Sequence, residues 1–330
     1  MRIKLSLFLL LILAVSAGYA QDAAFSQYYG NPNYLNPALA GSKIMPRLTL
    51  NYRNQWPAIP STFVTYSASY DQFFDEISGG VGLIVMNDNQ GDGTISSTSV
   101  GAIYSFRLNI TREMTLNAGF QTSYIQNKLN WDKFIFGDQL QWGNLENLPP
   151  TAESPPDRMN FGMIDFSTGL LFGYKQSMYF GLAAHHINQP NNSFTSINDS
   201  RLDMKITAHA GALLDLRQGL EGGDIEDMSI SPNILYQQQG KFHQLNIGVS
   251  FNIYPMVIGA WFRNNFESSD AIIGLIGFQY EKMKVGYSYD YTISSLTNSV
   301  THGAHEISFA WIFDRRQKTF KHRAIKSPMF

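Results

Sequence analysis

Three charged residues interrupt segments that otherwise consist of apolar and small polar side chains: Arg53, Asp290 and Glu306. Arg53 stands between Asn51 and Gln55, and the two carboxylates have similar uncharged surroundings. One guanidinium and two carboxylates can form a buried ion-pair cluster that holds segments of the chain together. They can also contact a bound ligand. Either use requires the fold to bring these distant positions together.

A second candidate is the acidic segment Asn87 to Gly93, which reads NDNQGDG. Asp88, Asn89 and Asp92 provide the oxygen ligands that calcium prefers in proteins. The spacing differs from that of an EF-hand, because no glutamate stands at the twelfth position of the loop. A hairpin turn of Gly, Asn and Asp explains the same residues without a metal ion. We therefore predict a turn at this segment.

The remaining residue types give no support for zinc or hydrolase chemistry. His185 and His186 are adjacent in a predicted strand, so we expect their side chains to point to opposite faces and not to share a zinc ion. No Ser, His and Asp set has the strand parity that a catalytic triad needs. The chain has no cysteine, which excludes a thiol nucleophile and a disulfide framework. The sequence predicts no enzyme, no cofactor and no metal.

Apolar residues alternate with small or polar residues from Arg47 onwards, and this period of two indicates β-strands. In Met114 to Tyr124 the apolar side chains fall on one face, and Thr, Asn, Gly, Gln and Ser fall on the other. About fourteen such segments have roughly ten residues each, the length with which a tilted strand crosses a bilayer. They begin near Arg47, Thr62, Ile77, Gly93, Glu113, Phe161, Ser177, Leu202, Asp227, Phe242, Pro255, Ser269, Lys282 and Gly303.

A soluble β-sandwich also alternates, but its outer face carries charge, whereas only 15% of these residues are charged. Aromatic residues gather near the predicted strand ends, as in the girdles of membrane barrels; examples are Tyr66, Tyr70, Tyr291, Trp311 and Phe313. No stretch after residue 20 approaches the roughly 18 apolar residues that indicate a transmembrane helix. We therefore predict an all-β fold, a transmembrane antiparallel up-and-down β-barrel of about 14 strands in an outer membrane.

The two ends of the chain differ from this barrel. Residues 1–20 combine Arg2 and Lys4, an apolar run and small residues before Gln21, which predicts a cleaved signal peptide. Residues 21–46 are too rich in Asn-Pro steps for a membrane strand, and they either plug the lumen or hang in the periplasm. The barrel is predicted at 47–314 and a basic tail at 315–330.

An even number of strands returns both termini to one side of the membrane, which we predict to be the periplasm. The long segment Lys128 to Asn160 then becomes an external loop, as is usual for outer-membrane barrels. The predicted barrel has outer-membrane lipid as its surroundings. The net charge of -2 leaves no basic surface for nucleic acid.

The segment Asp22 to Ser42, which reads DAAFSQYYGNPNYLNPALAGS, resembles the opening of the PorP/SprF family of the type IX secretion system. Members of that family begin with Phe-Ser-Gln-Tyr, followed by Asn-Pro-Ala and Ala-Gly; Ala23 departs from the proline that is common there. Three further segments, RNQW, YSYDY and HEI, resemble the family in the same order. The motif positions are Phe25, Ser26, Gln27, Tyr28, Asn36, Pro37, Gly41, Asn54, Gln55, Trp56, Tyr287, Tyr289 and His305.

The resemblance implies an outer-membrane component of type IX secretion, as found in Bacteroidetes and linked there to gliding motility. Such a protein assists the secretion or surface anchoring of a large adhesin-like cargo through the C-terminal domain of that cargo. Its partners would be the cargo and other secretion or periplasmic components. Two alternatives stay open: a general diffusion porin, and a scaffold that links the outer membrane to periplasmic motility machinery through the basic tail.

The barrel prediction also gives the three charged residues a location. Strand parity places Arg53, Asp290 and Glu306 on the lumen face of the first, thirteenth and fourteenth strands, which are neighbours in a closed barrel. All three lie close to predicted external loops, and therefore at similar heights. We predict a lumen charge cluster across the closure seam. It serves either as a structural clamp or as a site that gates the lumen or contacts cargo.

Overall fold

The computed structural model describes residues 21–59, 62–140, 149–175, 177–195, 200–216, 228–266, 269–294 and 297–313. The predicted signal peptide and basic tail lie outside this range. Fifteen antiparallel strands form one sheet that closes on itself, because β11 pairs with both β10 and β12. The strands are β1 (Arg47–Gln55), β2 (Phe63–Phe74), β3 (Gly79–Gln90), β4 (Ile95–Asn109), β5 (Met114–Leu129), β6 (Asn160–Tyr174), β7 (Met178–His185), β8 (Lys205–Ala212), β9 (Leu214–Asp215), β10 (Met228–Gln239), β11 (Phe242–Ile253), β12 (Met256–Asn264), β13 (Ser269–Tyr280), β14 (Met283–Thr292) and β15 (Ala304–Ile312).

The wall crosses the barrel fourteen times, which confirms the predicted fold. Strands β8 and β9 both pair with β10 and are two parts of one crossing, interrupted at Leu213. Each observed crossing begins within three residues of its predicted start. The first and last strands pair along their whole length, and Arg53 stands directly opposite Glu306.

Side chains on the wall alternate between two environments. The outward residues are mostly apolar and exposed; Leu83 is 56% exposed and Tyr124 53%. Many of their inward neighbours are small or polar and buried, such as Ser69 and Ser123. This reverses the pattern of a soluble protein, because the solvent around the barrel is lipid.

Helical segments are few and short. Helix α1 covers Pro32–Leu35 and helix α2 covers Asn298–Thr301. In the described part of the chain, four 3-10 turns lie at Tyr28–Gly30, Pro37–Leu39, Trp131–Lys133 and Gly137–Gln139. No helix within the described ranges is long and apolar enough to cross a membrane.

The two ends of the barrel have different connections. At the turn end, where β1 begins, the connections are mostly tight, as at 75–78, 254–255 and 281–282. At the opposite loop end lie the long connections 130–159 and 186–204, together with the loop 293–303. We call these two openings of the barrel the turn end and the loop end.

Residues 22–46, the plug, lie inside the lumen. Pro46 leads into β1 at the turn end, and the preceding residues run back through the barrel until Asp22 reaches the loop end. Most plug residues are buried although few of them belong to a regular element. The plug therefore fills the space that the closed sheet surrounds.

Candidate functional site in the barrel lumen

Two wall glycines create the space for the middle of the plug. A Cβ atom added to Gly80 would lie 2.1 Å from the carbonyl oxygen of Ala40, and one added to Gly119 would lie 2.3 Å from the amide nitrogen of Ala38. Backbone atoms cannot move aside as the end of a flexible side chain can. The plug and the wall therefore touch backbone to backbone at these two positions.

The side chain of Asn36, a position of the family motif, binds the backbone of the barrel wall. Its Nδ2 donates to the carbonyl oxygens of Leu170, at 3.1 Å, and Leu182, at 3.2 Å. Its Oδ1 accepts from the amide of Ala38 at 2.9 Å. A Cβ atom at Gly169 would lie 1.9 Å from that Oδ1. The Asn-Pro-Ala motif is thus fixed on β6 and β7.

A group of buried charges holds the plug at the turn end. Arg47 donates to both carboxylate oxygens of Asp71, at 2.8 and 3.0 Å. The same carboxylate accepts from the amide of Gly41 at 2.7 Å. Arg107 donates to the carbonyl oxygens of Gly41 and Ser42, both at 3.2 Å. Because Gly41 has a φ of 68°, a side chain would be strained at this point of the motif.

The three charged residues of the predicted seam meet in the structure. Arg53 Nη2 lies 2.9 Å from Asp290 Oδ2, and Arg53 Nη1 lies 3.0 Å from Glu306 Oε2. All three side chains are at most 3% exposed. Burial weakens solvent screening, so each of these charges needs its partners. We call this group, together with Arg263, the seam cluster.

Arg263 on β12 was missed by the reasoning from sequence. Its Nη1 donates to Asp290 Oδ2 at 2.9 Å, and its Nε donates to Asp270 Oδ2 at 2.5 Å. The guanidinium reaches over β13, where the facing residue is the small Ala271. The sequence does show Arg263 as a second inward arginine at the same height as Arg53. Strand order alone, however, does not show that its side chain crosses β13 to reach Asp290.

The Phe-Ser-Gln-Tyr motif of the plug binds the seam cluster. The amides of Ser26 and Gln27 donate to the two oxygens of Glu306, at 2.8 and 3.0 Å. Ser26 Oγ donates to Asp290 Oδ2 at 2.6 Å and accepts from Arg53 Nη1 at 2.7 Å. The carboxylate of Glu306 on the last strand therefore binds both the plug and Arg53 of the first strand.

The aromatic residues of the plug pack in the lumen. Phe25 meets Tyr34 edge to face at 5.4 Å between ring centroids, and Tyr29 stacks on Trp261 at 5.3 Å. Together with wall residues, plug residues form a buried apolar cluster: Tyr28, Tyr29, Leu35, Leu39, Leu171, Tyr179, Leu235, Val257, Trp261 and Ile273. The middle of the lumen is thus filled by packed side chains.

Asp22 is anchored on the opposite side of the lumen. Its Oδ2 lies 2.6 Å from Lys205 Nζ and 2.8 Å from His186 Nε2. The amide of Asp22 donates to Gln239 Oε1 at 2.9 Å, and His186 Nδ1 lies 3.0 Å from Asp165 Oδ1. We call this group the Asp22 anchor.

The prediction that His185 and His186 point to opposite faces is wrong. Strand β7 ends at His185, and His186 has a φ of 57°, so the alternation of a strand no longer applies to it. The ring of His185 lies 3.4 Å from the carbonyl of Leu35, while His186 contacts Asp22. Both rings therefore face the plug. No group of three potential metal ligands occurs among the residues described.

Ion pairing shifts the pKa values in the Asp22 anchor. Burial alone would raise the pKa of Asp22, but the adjacent His186 and Lys205 lower it well below its usual value. Burial alone would lower the pKa of His186, but Asp22 and Asp165 raise it to about 9. The Asp22 contribution to stability is present above the usual carboxyl pKa and is lost as the pH falls through the lowered value. The His186 contribution is full below about 6.5 and is lost as the pH rises to about 9.

We expect a nitroxide label at Gln21→Cys to become more mobile as the pH rises from about 6.5 to 9. Deprotonation of His186 should weaken the anchor by about 1.5–3 kcal/mol, while Lys205 still holds Asp22. The line width of the label in electron paramagnetic resonance measures this change. A label at the exposed Glu153→Cys is the control and should not respond. An unchanged pH response in a His186→Gln variant would contradict the assignment.

Between its two anchors, the segment Asp22 to Gln27 spans the lumen; we call it the crossbar. It divides the space at the loop end into two pockets, and Gln21, Asp22 and Ala23 line both. The larger has a volume of about 520 Å³ and is lined by residues such as Arg53 and Gln244. The smaller, of about 290 Å³, lies on the side of β3 to β8.

Of the other motif positions, Gln55 and Trp56 line the larger pocket at the loop end. Trp56 is at the loop end, where its ring meets Phe63 edge to face at 5.6 Å. Tyr287 and Tyr289 face outward on β14, where both pack against His305, with Tyr287 OH 2.8 Å from His305 Nδ1. Asn54 is next to Gln55, which accepts from Arg53 at 3.3 Å.

The proposed calcium ligands do not form a site. Asp88 belongs to β3, where Oδ1 accepts from Thr65 Oγ1 at 2.7 Å. Gly91, Asp92 and Gly93 all have positive φ values and form the turn to β4. The segment is a hairpin turn, and its acidic residues are separated along it.

A family model for the type IX secretion system membrane protein PorP/SprF matches residues 17–311. This range contains the plug and the described barrel up to Trp311 in β15. The chain belongs to the PorP/SprF family. The family and the closed barrel identify an outer-membrane component of type IX secretion. No curated protein matches the chain.

Solved structures of other outer-membrane barrels are similar to this PorP/SprF protein. The toluene transporter TodX of P. putida is 9% identical with a TM-score of 0.48, over 85% of this chain and 93% of that chain. A Pseudomonas aeruginosa FadL homologue is 9% identical with a TM-score of 0.47, over 90% and 100%. The outer-membrane protein Omp33 of Acinetobacter baumannii is 11% identical with a TM-score of 0.43, over 82% and 100%. Such identities carry no information about function.

Proposed function

We propose that this PorP/SprF protein is a closed receptor of the outer membrane that assists secretion or surface anchoring of a large adhesin-like cargo. It contacts the C-terminal domain of the cargo at the loop end, which faces outward, while the turn end and both termini face the periplasm. The observation that carries this proposal is the plug, anchored at both ends of the lumen and packed in the middle. A barrel filled in this way provides a surface and not a passage.

The long connection 130–159 supports contact with a protein at the loop end. Trp131, Phe134 and Phe136 pack against one another, with centroid distances from 4.7 to 5.9 Å. Ile135 and Leu140 stand beside them and are 58% and 54% exposed. Exposed apolar side chains on a locally packed loop are typical of sites that bind another protein.

The alternative of a general diffusion porin conflicts with the filled lumen, since a porin needs a continuous aqueous path. The alternative of a scaffold for periplasmic motility machinery depends on the basic tail 315–330. Deletion of this tail, followed by a pull-down of periplasmic components, distinguishes it. Under the receptor proposal the deletion leaves cargo recovery unchanged.

The receptor proposal is tested by affinity purification from outer membranes in mild detergent, followed by mass spectrometry. We expect recovery of an adhesin-like cargo together with secretion components. An Ile135→Asp, Leu140→Asp double variant should reduce the cargo at least about tenfold, because charges would replace the exposed apolar contacts. Ile110→Asp at the turn end is the matched control, since Ile110 is 51% exposed but lies on the other side. Recovery of neither cargo nor secretion components would contradict the proposal.

A further inference from the structure

The crossbar belongs to no helix or strand, and several of its backbone groups have no hydrogen-bond partner in the described part of the protein. Within the described part of the chain, the amides of Ala23, Ala24 and Phe25 donate no hydrogen bond, and the carbonyl of Ala24 accepts none. The carbonyl of Ala23 accepts from Tyr34 OH at 2.5 Å. Backbone groups in folded proteins are nearly always paired with protein or water. Ala23 and Ala24 line the larger pocket at the loop end.

The crossbar is also held in position before any partner arrives. Asp22 is fixed by Lys205 and His186, and Ser26 and Gln27 are fixed by Glu306. The residues between these anchors cannot move far from an extended course. A binding segment whose ends are already ordered loses less entropy when it binds.

Small side chains leave room for a second backbone beside the crossbar. Paired strands lie about 4.8 Å apart, which requires small residues or free space on the approached side. Ala23 and Ala24 are partly exposed, and neither projects beyond a methyl group. The larger pocket of about 520 Å³ lies alongside them and is within the usual size range of ligand pockets.

The lining of this pocket combines paired charges with side-chain amides, the Asp88 carboxylate and the aromatic rings of Trp56, Phe63 and Phe242. Arg53 and Arg263 line it, but both guanidiniums are already paired with carboxylates. Gln55, Gln90 and Gln244 contribute amides. Gln244 is 4% exposed, and its Nε2 has no partner among the described residues. A buried amide donor of this kind fits a carbonyl oxygen of a polypeptide.

We propose that the crossbar accepts an extended polypeptide segment of the cargo, which pairs with Ala23 to Phe25 as an added β-strand. Backbone hydrogen bonds supply the affinity, and the pocket beside β1 and β12 takes the side chains of the strand. This inference rests on the proposed receptor function and specifies what the receptor binds. It gives the plug a second role, as a recognition element in addition to a seal.

Two synthetic peptides test the pairing. The first is an eight-residue peptide of alternating Thr and Val with blocked ends, and the second is the same peptide N-methylated at every other residue. N-methylation keeps the side chains but removes the amide donors that pair strands. Because the chain has no cysteine, Ala24→Cys gives the purified protein a single thiol on the crossbar. The rate at which a maleimide labels this thiol measures access to it.

We expect the first peptide, at ten times its Kd, to slow labelling about elevenfold and the methylated peptide to have no effect. Labelling of the exposed control Glu153→Cys should stay unchanged with both peptides. Equal protection by the two peptides would overturn the proposal, because recognition would then not depend on backbone pairing. If neither peptide slows labelling of the Ala24→Cys thiol, the proposal is overturned as well.

A blocking variant gives an independent readout. Ala24→Trp places a large ring in the pocket that Ala24 lines, and it should abolish binding of the fluorescently labelled first peptide. The matched control is Ala102→Trp, whose side chain faces lipid. Peptide binding that survives Ala24→Trp would contradict the site. If the protein binds the peptide but no cargo is recovered with it in the affinity purification, the strand-binding site is supported and only the receptor function is refuted.

Discussion

Replacement of Arg53 by methionine is expected to lower the free energy of unfolding by about 3–5 kcal/mol. The guanidinium is the cation that Glu306 and Asp290 share, and both carboxylates are at most 1% exposed. Methionine keeps most of the length of the side chain but leaves Glu306 with only the two plug amides. The loss is measured as the shift in the denaturant midpoint of the barrel in detergent, with the folded form detected by its mobility in unheated gels.

Arg158→Met is the control for this change. Arg158 is an exposed residue near the start of β6, and its replacement should alter the unfolding free energy by less than about 0.5 kcal/mol. Equal stability of the Arg53 and Arg158 variants would contradict a clamp at the seam.

The Glu306→Gln variant distinguishes the two hypotheses for the seam cluster, a structural clamp or a site that gates the lumen or contacts cargo. If that variant is as heat-stable as the parent but does not support secretion, the structural clamp is wrong and the cargo site is favoured.

Gly119→Val is expected to displace the plug and to open the barrel. The added Cβ would lie 2.3 Å from the amide nitrogen of Ala38 and 2.4 Å from the carbonyl carbon of Pro37, both backbone atoms. Strand β5, which contains Gly119, is hydrogen-bonded to β4 on one side and to β6 on the other. We therefore expect the plug to move and not the strand. The parent protein should be silent in a planar bilayer, whereas the variant should show open-channel conductance.

A matched control for this variant lies on the outer face of the barrel. At Gly274 on β13 an added Cβ would meet no atom within 4 Å, so Gly274→Val changes strand composition without touching the plug. This control should remain silent. If Gly119→Val is stably folded and equally silent, the close backbone contact does not hold the plug in place. A conducting parent protein would instead favour the porin alternative.

Much of the wall could be predicted from the sequence. A period of two indicates strands with one lipid-facing apolar side, and strands can cross a membrane only as a closed barrel. The meeting of Arg53, Asp290 and Glu306 followed from parity and from the neighbourhood of the first and last strands in a barrel. Arg263 did not follow, because its guanidinium passes over β13, and the space for that passage depends on the small Ala271.

The course of the plug could not be predicted from its own residues. Asn36 and Gly41 lie in a segment without periodicity, and their positions depend on Gly169 and Gly80 of the wall, which are far away in the sequence. His186 illustrates a different limit. One residue beyond the end of β7 the backbone turns to a positive φ, and the alternation that predicts its direction stops there. Strand ends are therefore the places where parity fails.

The shared carboxylate of Glu306 has a consequence for biogenesis. The segment containing Ser26 and Gln27 is synthesised first, yet it binds a side chain of the last wall strand to be made. A slip of one residue between β1 and β15 would turn Glu306 towards lipid and leave Arg53 and the plug amides unpaired. The contacts between the plug and Glu306 therefore require that β1 and β15 pair in the correct register.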